Sequence, residues 1–339
     1  MVVISDETAL HLVFDEFLKV RGLIGINDSQ DKLGQLLSLS AFTTHVNADH
    51  SSLCILLGLP GLIIPSNWYD QIALQVEELT LNIRSKNYSL PEFIKGMHQL
   101  KVLSITSYND YSSKLHNLSL IACLTNLQNI RIEHVSVSSV QPIFALKNLT
   151  RLSFVMCEIG DALMSCTTES PHMLLNLTTL EIDMCYDLKQ LPSGICINLV
   201  KLQKLSITNC HELDVLPKRL GGLSNLEILS LRCCTKLQDL PDSIGSLHNL
   251  RSIDISDCLS ISVLPEEMGE LCGLRVLKMN GCGGLQELPM SMSELGQLEE
   301  VICDEETSYL WMDFESDLHN LKINVVEDDR LESFMKIVQ

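Results

Sequence analysis

Residues 202–298 repeat every 24 residues. The pattern is L-x-x-L-x-L-x-x-C-x-x-L-x-x-L-P, with Ile replacing Leu at some places. Successive turns read LQKLSITNCHELDVLP, LEILSLRCCTKLQDLP, LRSIDISDCLSISVLP and LRVLKMNGCGGLQELP, beginning at Leu202, Leu226, Leu250 and Leu274. A unit this short cannot enclose a core. Its leucines are buried only if neighbouring units stack against it, so a fixed period of this length specifies a solenoid. The expected fold is an α/β leucine-rich-repeat horseshoe. A parallel β-sheet lines its concave face, and short helices or 3₁₀ turns form the convex face.

The period runs upstream with looser spacing. Leu177-x-x-Leu180-x-Ile182-x-x-Cys185 and Leu149-x-x-Leu152-x-Phe154-x-x-Cys157 are units. Leu127, Leu100 and Val76 begin three more, and the intervals between first residues run 24, 27, 22, 28, 25 and then 24. About ten repeats fall between Val76 and Cys303. Leu318-x-x-Leu321-x-Ile323 is a degenerate last one. The organisation read from this has three parts: an unassigned, partly helical segment over 1–66, the repeat domain over 67–303, and a degenerate repeat with a C-terminal cap over 304–339. In the first part, Ser5 or Asp6 could cap a helix carrying Leu10, Val13, Phe14 and Phe17 on one face.

Within each unit the L-x-L stretch alternates with period 2, which marks a strand with one buried face. Leu229 and Leu231 are expected inside, beside Ile253 and Ile255. Pro241 follows, where a fixed φ opens a turn without losing a needed donor. The residues between the leucines then face the concave side. They are expected to form two rows that include Glu181, Asp183, Ser206, Thr208, Ser230, Arg232, Asp254, Ser256, Lys278 and Asn280. These are the candidate partner-contact residues. Their mixed signs suit a protein surface better than a polyanion site.

Six of the 13 cysteines share one phase of the repeat: Cys157, Cys185, Cys210, Cys234, Cys258 and Cys282. There the chain leaves the strand and turns. A small inward side chain with weak polar capacity suits backbone groups that need partners, so these cysteines are read as structural. Zinc would want C-x-x-C pairs converging on one point, and no C-x-x-C occurs. Cys233 is read as a reduced surface thiol. His45, His50 and Cys54 match no familiar zinc spacing.

A formal charge of −19 disfavours nucleic acid as a direct partner, because phosphate contacts need a basic surface. The first 25 residues lack the basic start of a signal peptide. The apolar run from Leu53 to Ile64 is short for a bilayer and contains Pro60. A cytoplasmic location follows, with the nucleus as a second compartment. Asn27, Asn87, Asn117, Asn148 and Asn176 begin glycosylation sequons, which argue the other way.

The repeat subtype points to a family. LPDSIGSLHNLRSIDISDC (240–258) and LPEEMGELCGLRVLKMNGC (264–282) resemble plant intracellular immune receptors of the nucleotide-binding, leucine-rich-repeat class. The likeness is closest to the helper class with an RPW8-type coiled coil, the activated disease resistance group. It is carried also by Asn87-Tyr88-x-Leu90-Pro91-x-Phe93-Ile94, Leu146-Lys147-Asn148-Leu149, Leu188-x-x-Leu191-Pro192-Ser193-x-Ile195-Cys196 and Leu310-Trp311-Met312. That family has a coiled coil and a nucleotide switch before the repeats. Here there is no P-loop and no Met-His-Asp motif, so only the repeat portion is matched.

The resemblance implies a non-enzymatic interaction domain in defence. Its partners would be the receptor's own nucleotide-binding region or other immune signalling proteins, with a role in autoinhibition. Two other readings are a substrate adaptor of a ubiquitin ligase, which would need an F-box in 1–66, and a secreted recognition protein. No catalytic residue, metal ligand or cofactor is expected. Neither G-x-x-x-x-G-K-[ST] nor G-x-G-x-x-G occurs, and the dipeptide Gly-Lys is absent. The chain is therefore expected to bind neither ATP nor ADP. Isothermal titration at high nucleotide concentration checks this, and saturable Mg²⁺-dependent binding would contradict it.

Overall fold

The computed structural model describes residues 76–326, except 84, 91, 109–110, 167–172 and 315, together with residues 44–46 and 52–57. The expected helix near Leu10, the sequon at Asn27 and the cap residues beyond 326 lie outside the described residues.

The strands are β1 (Thr44–Val46), β2 (Ser52–Leu57), β3 (Glu78–Ile83), β4 (Asn87–Ser89), β5 (Val102–Ser107), β6 (Ser113–His116), β7 (Asn129–Glu133) and β8 (Val135–Val137). They continue with β9 (Arg151–Val155), β10 (Thr179–Asp183), β11 (Lys204–Thr208), β12 (Ile228–Ser230), β13 (Ser252–Asp254), β14 (Val276–Lys278), β15 (Glu300–Cys303) and β16 (Lys322–Val325). One sheet takes β1, β2, β3, β5, β7 and then β9 to β16 in that order. Every neighbour pair from β2 onward is parallel and in sequence order. β4, β6 and β8 form a small second sheet in the early coils.

The sheet reaches back past residue 66, where the repeat had been expected to begin. β2 pairs with β3 in the repeat's own register, Leu53 against Leu79 and Ile55 against Leu81. Leu53, Ile55 and Leu57 alternate with period 2, which suits a strand, but the L-x-x-L lead-in that marks later coils is missing. β1 closes that end as an antiparallel partner of β2, with His45 opposite Cys54. His50 lies outside the described residues.

One continuous core runs along the solenoid. Leu229, Leu231, Ile253, Ile255, Leu277 and Met279 are fully buried. On the far side lie short helical turns such as Asp242–Ser246, Glu266–Glu270 and Met290–Glu294. The preceding Pro241, Pro265 and Pro289 are extended, with φ of −72°, −70° and −62°. Each proline therefore sits one residue before the turn rather than inside it. Its carbonyl accepts the first turn bond, from Ile244, Met268 and Met292 respectively. Gly245 and Gly269 set how closely the coils approach. A Cβ at Gly245 would lie 2.7 Å from the Glu267 carbonyl oxygen, and one at Gly269 2.4 Å from that of Ser291.

The asparagine before the first leucine of several coils ties one coil to the last. Asn148 Nδ2 donates to the Thr125 carbonyl and Asn176 Nδ2 to that of Lys147, both at 2.8 Å. Asn126, Asn225 and Asn249 do the same to His98, Val200 and Ser224. Two of the sequon asparagines thus have their amide nitrogens engaged in coil-to-coil bonds. Among the described residues no helix is long and apolar enough to cross a membrane.

Leu277→Ala is expected to destabilise the solenoid by about 2–5 kcal/mol, from lost burial plus the cavity left behind. Gly269→Ala is expected to cost about 1–3 kcal/mol through overpacking against the next coil's backbone. Urea denaturation measures both. A Leu277→Ala loss below about 0.5 kcal/mol, the range of neutral surface changes, would mean the inward register is wrong.

Candidate partner-binding face

Strand pairing fixes which side chains share the concave surface. Glu181, Ser206, Ser230, Asp254, Lys278 and Ile302 stand opposite one another on successive strands. Asp183 and Thr208 pair one step further along. These positions lie between buried neighbours, so they face solvent. In the regular coils the strands end at Ser230, Asp254 and Lys278. Arg232, Ser256 and Asn280 therefore lie in the turn beyond the sheet, although Leu231 N–H still bonds across to the Asp254 carbonyl.

Ser256 departs from the expected surface. Only 3% of it is exposed, and its hydroxyl donates to Asn280 Oδ1 at 2.8 Å. It packs the turn instead of presenting to a partner, because the chain has already begun to curl inward there. A third outward-facing row was not anticipated: Arg151, Thr179, Lys204, Ile228, Ser252, Val276 and Glu300, one residue ahead of the first buried strand position, of which Arg151 and Ile228 are exposed and the rest half-buried. The signal for it is the same period-2 alternation run one step back.

Many of the charged groups on this face satisfy one another. Lys204 Nζ lies 2.6 Å from Glu181 Oε1. Asp183 Oδ1 accepts from Thr208 Oγ1 at 2.6 Å and from Asn209 Nδ2 at 2.8 Å. Arg232 Nε approaches Asp257 Oδ2 at 3.7 Å, and Asp254 Oδ1 accepts the Ser256 N–H at 3.0 Å. Such half-exposed ion pairs contribute only about 0–1 kcal/mol each. Their consequence is order: they hold side chains in place before a partner arrives.

Beneath the surface the six phase-matched cysteines form a row of their own. All are buried. Each thiol donates to a backbone carbonyl of the preceding coil, in or just past its strand, from Cys157 to Ile132, Cys234 to Ile207, Cys258 to Leu231 and Cys282 to Ile255 at 3.0–3.3 Å. Cys185 and Cys210 make longer versions to Phe154 and Ile182. Burial pushes Cys157, Cys210, Cys234 and Cys282 up to about 12. It pushes Cys185 and Cys258 higher still, with the neighbouring cysteines adding to it.

The residue just before each of these cysteines has a left-handed backbone: Met156, Met184, Asn209, Cys233, Asp257 and Gly281, with φ between 53° and 76°. Only one of them is glycine, so the row is costly for its side chains. What holds it is a hydrogen bond outward from each N–H to the next coil, as from Cys233 to the Ser256 carbonyl at 2.8 Å. The row ends at Gly281, whose N–H meets Asp304 Oδ2 at 2.5 Å. Asp304, a buried N-cap, also accepts from Thr307 N at 2.9 Å. Cys233, expected as a reduced surface thiol, is a free cysteine but half-buried in this row, with Sγ 3.6 Å from Asp257 Oδ2.

This geometry defines a leucine-rich-repeat protein with a long parallel sheet face. In sequence its curated relatives are plant disease resistance proteins. No protein-family model matches the chain. It is 44% identical over 149 residues to the probable disease resistance protein At5g66890 of Arabidopsis thaliana, covering 44% of this chain and 35% of that one. It is 36% identical over 158 residues to the disease resistance protein ADR1 of the same plant, covering 46% of this chain and 20% of ADR1. The match thus spans about a third or less of these relatives' length. Among solved structures, the leucine-rich repeat domain of the type III effector XopL aligns over 95% of this chain and 90% of its own, with a TM-score of 0.50 and 21% identity. That likeness shows the fold. The relatives and the fold together fit the leucine-rich-repeat portion of a plant disease resistance protein.

The buried thiols make stability sensitive to alkali. Their folded pKa values lie above the unfolded 9.0, so folding favours the neutral form. That contribution is complete below about pH 9 and is lost as pH rises toward 12, by about 1.4 kcal/mol per pH unit for each thiol. A Cys234→Ala, Cys258→Ala variant is expected to be less stable at neutral pH but to lose stability less steeply above pH 9. Urea denaturation across that range checks this, and parallel slopes for both proteins would refute it.

Proposed function

We propose that the chain is a non-enzymatic protein-interaction domain of a plant intracellular immune receptor. It recognises partners through the concave face between Glu181 and Lys278 and contributes to autoinhibition. Its first partner is the receptor's own nucleotide-binding region, followed by other immune signalling proteins, in the cytoplasm and nucleus. The observation that carries this reading is the parallel sheet face itself. It presents ordered side chains of both signs on an otherwise strongly acidic chain whose curated relatives are disease resistance proteins.

Arg232 and Lys278 are the cations on this stretch best placed to meet a partner's carboxylates. Arg232 is 61% exposed at its side chain and Lys278 sits on the inner row. Charge complementarity of this kind sets specificity and speeds encounter. The test is co-precipitation with the nucleotide-binding fragment of a full-length relative. Arg232→Glu with Lys278→Glu is expected to reduce capture at least about tenfold, in line with the roughly 2–5 kcal/mol typical of a broken interfacial charge pair. Glu266→Lys, on the convex side, should leave capture unchanged. Binding lost in the convex variant but kept in the concave double variant would overturn the assignment.

A further inference from the structure

The concave face is not uniform along its length, and its variation specifies the chemistry of what it binds. Apolar side chains gather toward one end. Ile228 is 41% exposed, and Val276 and Ile302 are half-buried. They stand on the solvent side because their strand neighbours Leu229, Leu277 and Val301 point inward with no exposed surface. Apolar groups held on a solvated sheet gain burial only when something covers them.

Lys278 sits beside two of them, Val276 and Ile302, while Ser252 stands in register between Ile228 and Val276 and Glu300 pairs with Val276 on its other side. Lys278 is two residues from Val276 on the same strand and so on the same face, and it is the register partner of Ile302. Its neighbour on the other side, Asp254, has turned its carboxylate to the Ser256 amide. Lys278 makes no ion pair among the described residues, whereas Arg131, Lys204 and Arg232 are each matched with an acid of the chain itself. Elsewhere the combination breaks down. Arg151 also lacks an ion-pair partner, but stands in register between Asn129 and Thr179, and Val155 lies between Glu133 and Asp183.

Resting on the concave face as the binding surface, we propose that the coils from Ile228 to Ile302 receive an acidic-apolar segment of a partner protein. Its Asp or Glu pairs with Lys278, and adjacent large aliphatic or aromatic residues cover Val276, Ile302 and Ile228. A free cation bordered by apolar surface favours this sequence class over a basic or purely polar one, since an acid desolvated beside apolar groups is tolerated only against a partner charge. On a chain of net charge −19, an acidic partner would otherwise be repelled, so the site's selectivity is local.

The test is selection of a phage-displayed random dodecapeptide library on the purified full chain. The parallel baits are Lys278→Glu, Ile302→Asp and the convex variant Glu266→Lys, each confirmed folded by its thermal midpoint. The expected result is enrichment of peptides with Asp or Glu within two residues of Leu, Ile, Phe or Trp. Their capture should fall at least tenfold on Lys278→Glu and on Ile302→Asp and be retained on Glu266→Lys. Enriched peptides that are basic or uncharged, yet still lost on Ile302→Asp, would overturn the proposed chemistry and leave the concave surface standing. Peptides lost only on Glu266→Lys would overturn both. No enrichment above an empty support would also overturn the proposal.

Discussion

Burial shared between neighbouring coils is the constraint on which the rest of the structure depends. Leu229 has no exposed surface only because Leu205 and Ile253 lie beside it on β11 and β13. Among the described residues each strand of the long sheet pairs only with the next ones along it, so stability accumulates coil by coil. The same dependence explains the two ends. At β16 the inward position Val325 is 48% exposed, though its register partner Cys303 is buried. At the other end the sheet continues into β2, which carries the alternation without the rest of the repeat.

Apolar stacking brings the coils together, and polar ladders set their spacing. Each coil end leaves backbone groups that need partners. The asparagine amides reach back to the previous coil before the strand, the cysteine thiols reach back after it, and the left-handed residues send their N–H groups forward. A thiol is a weak donor, yet it is small enough to sit where the chain turns and apolar enough to share the core. The left-handed turn costs each non-glycine residue, and the forward hydrogen bond offsets that cost. Asp304 ends the forward row with a carboxylate in place of another coil's carbonyl.

This scaffold makes the exposed face a consequence of the buried one. The inward leucines hold the strands in register, and register lines up the outward residues in rows. Function can then vary by substitution on the rows without disturbing the core, which is how one fold presents different surfaces to different partners. Here the rows move from matched charges around Glu181 and Lys204 to half-buried apolar groups at Val276 and Ile302.

The 24-residue period by itself determined the solenoid, the inward leucines and the position of the inner concave row, because burial that depends on neighbours leaves a periodic mark in the sequence. Local spacing could not show where the strands stop. Ser256 shares its phase with Thr208, yet it is buried, since strand length in the regular coils is decided by how the turn packs on the next coil. The left-handed backbone before each cysteine and the Asp304 cap were likewise decided by tertiary structure. Each depends on a hydrogen bond or contact to a residue some 24 positions away, and no single coil's sequence specifies it.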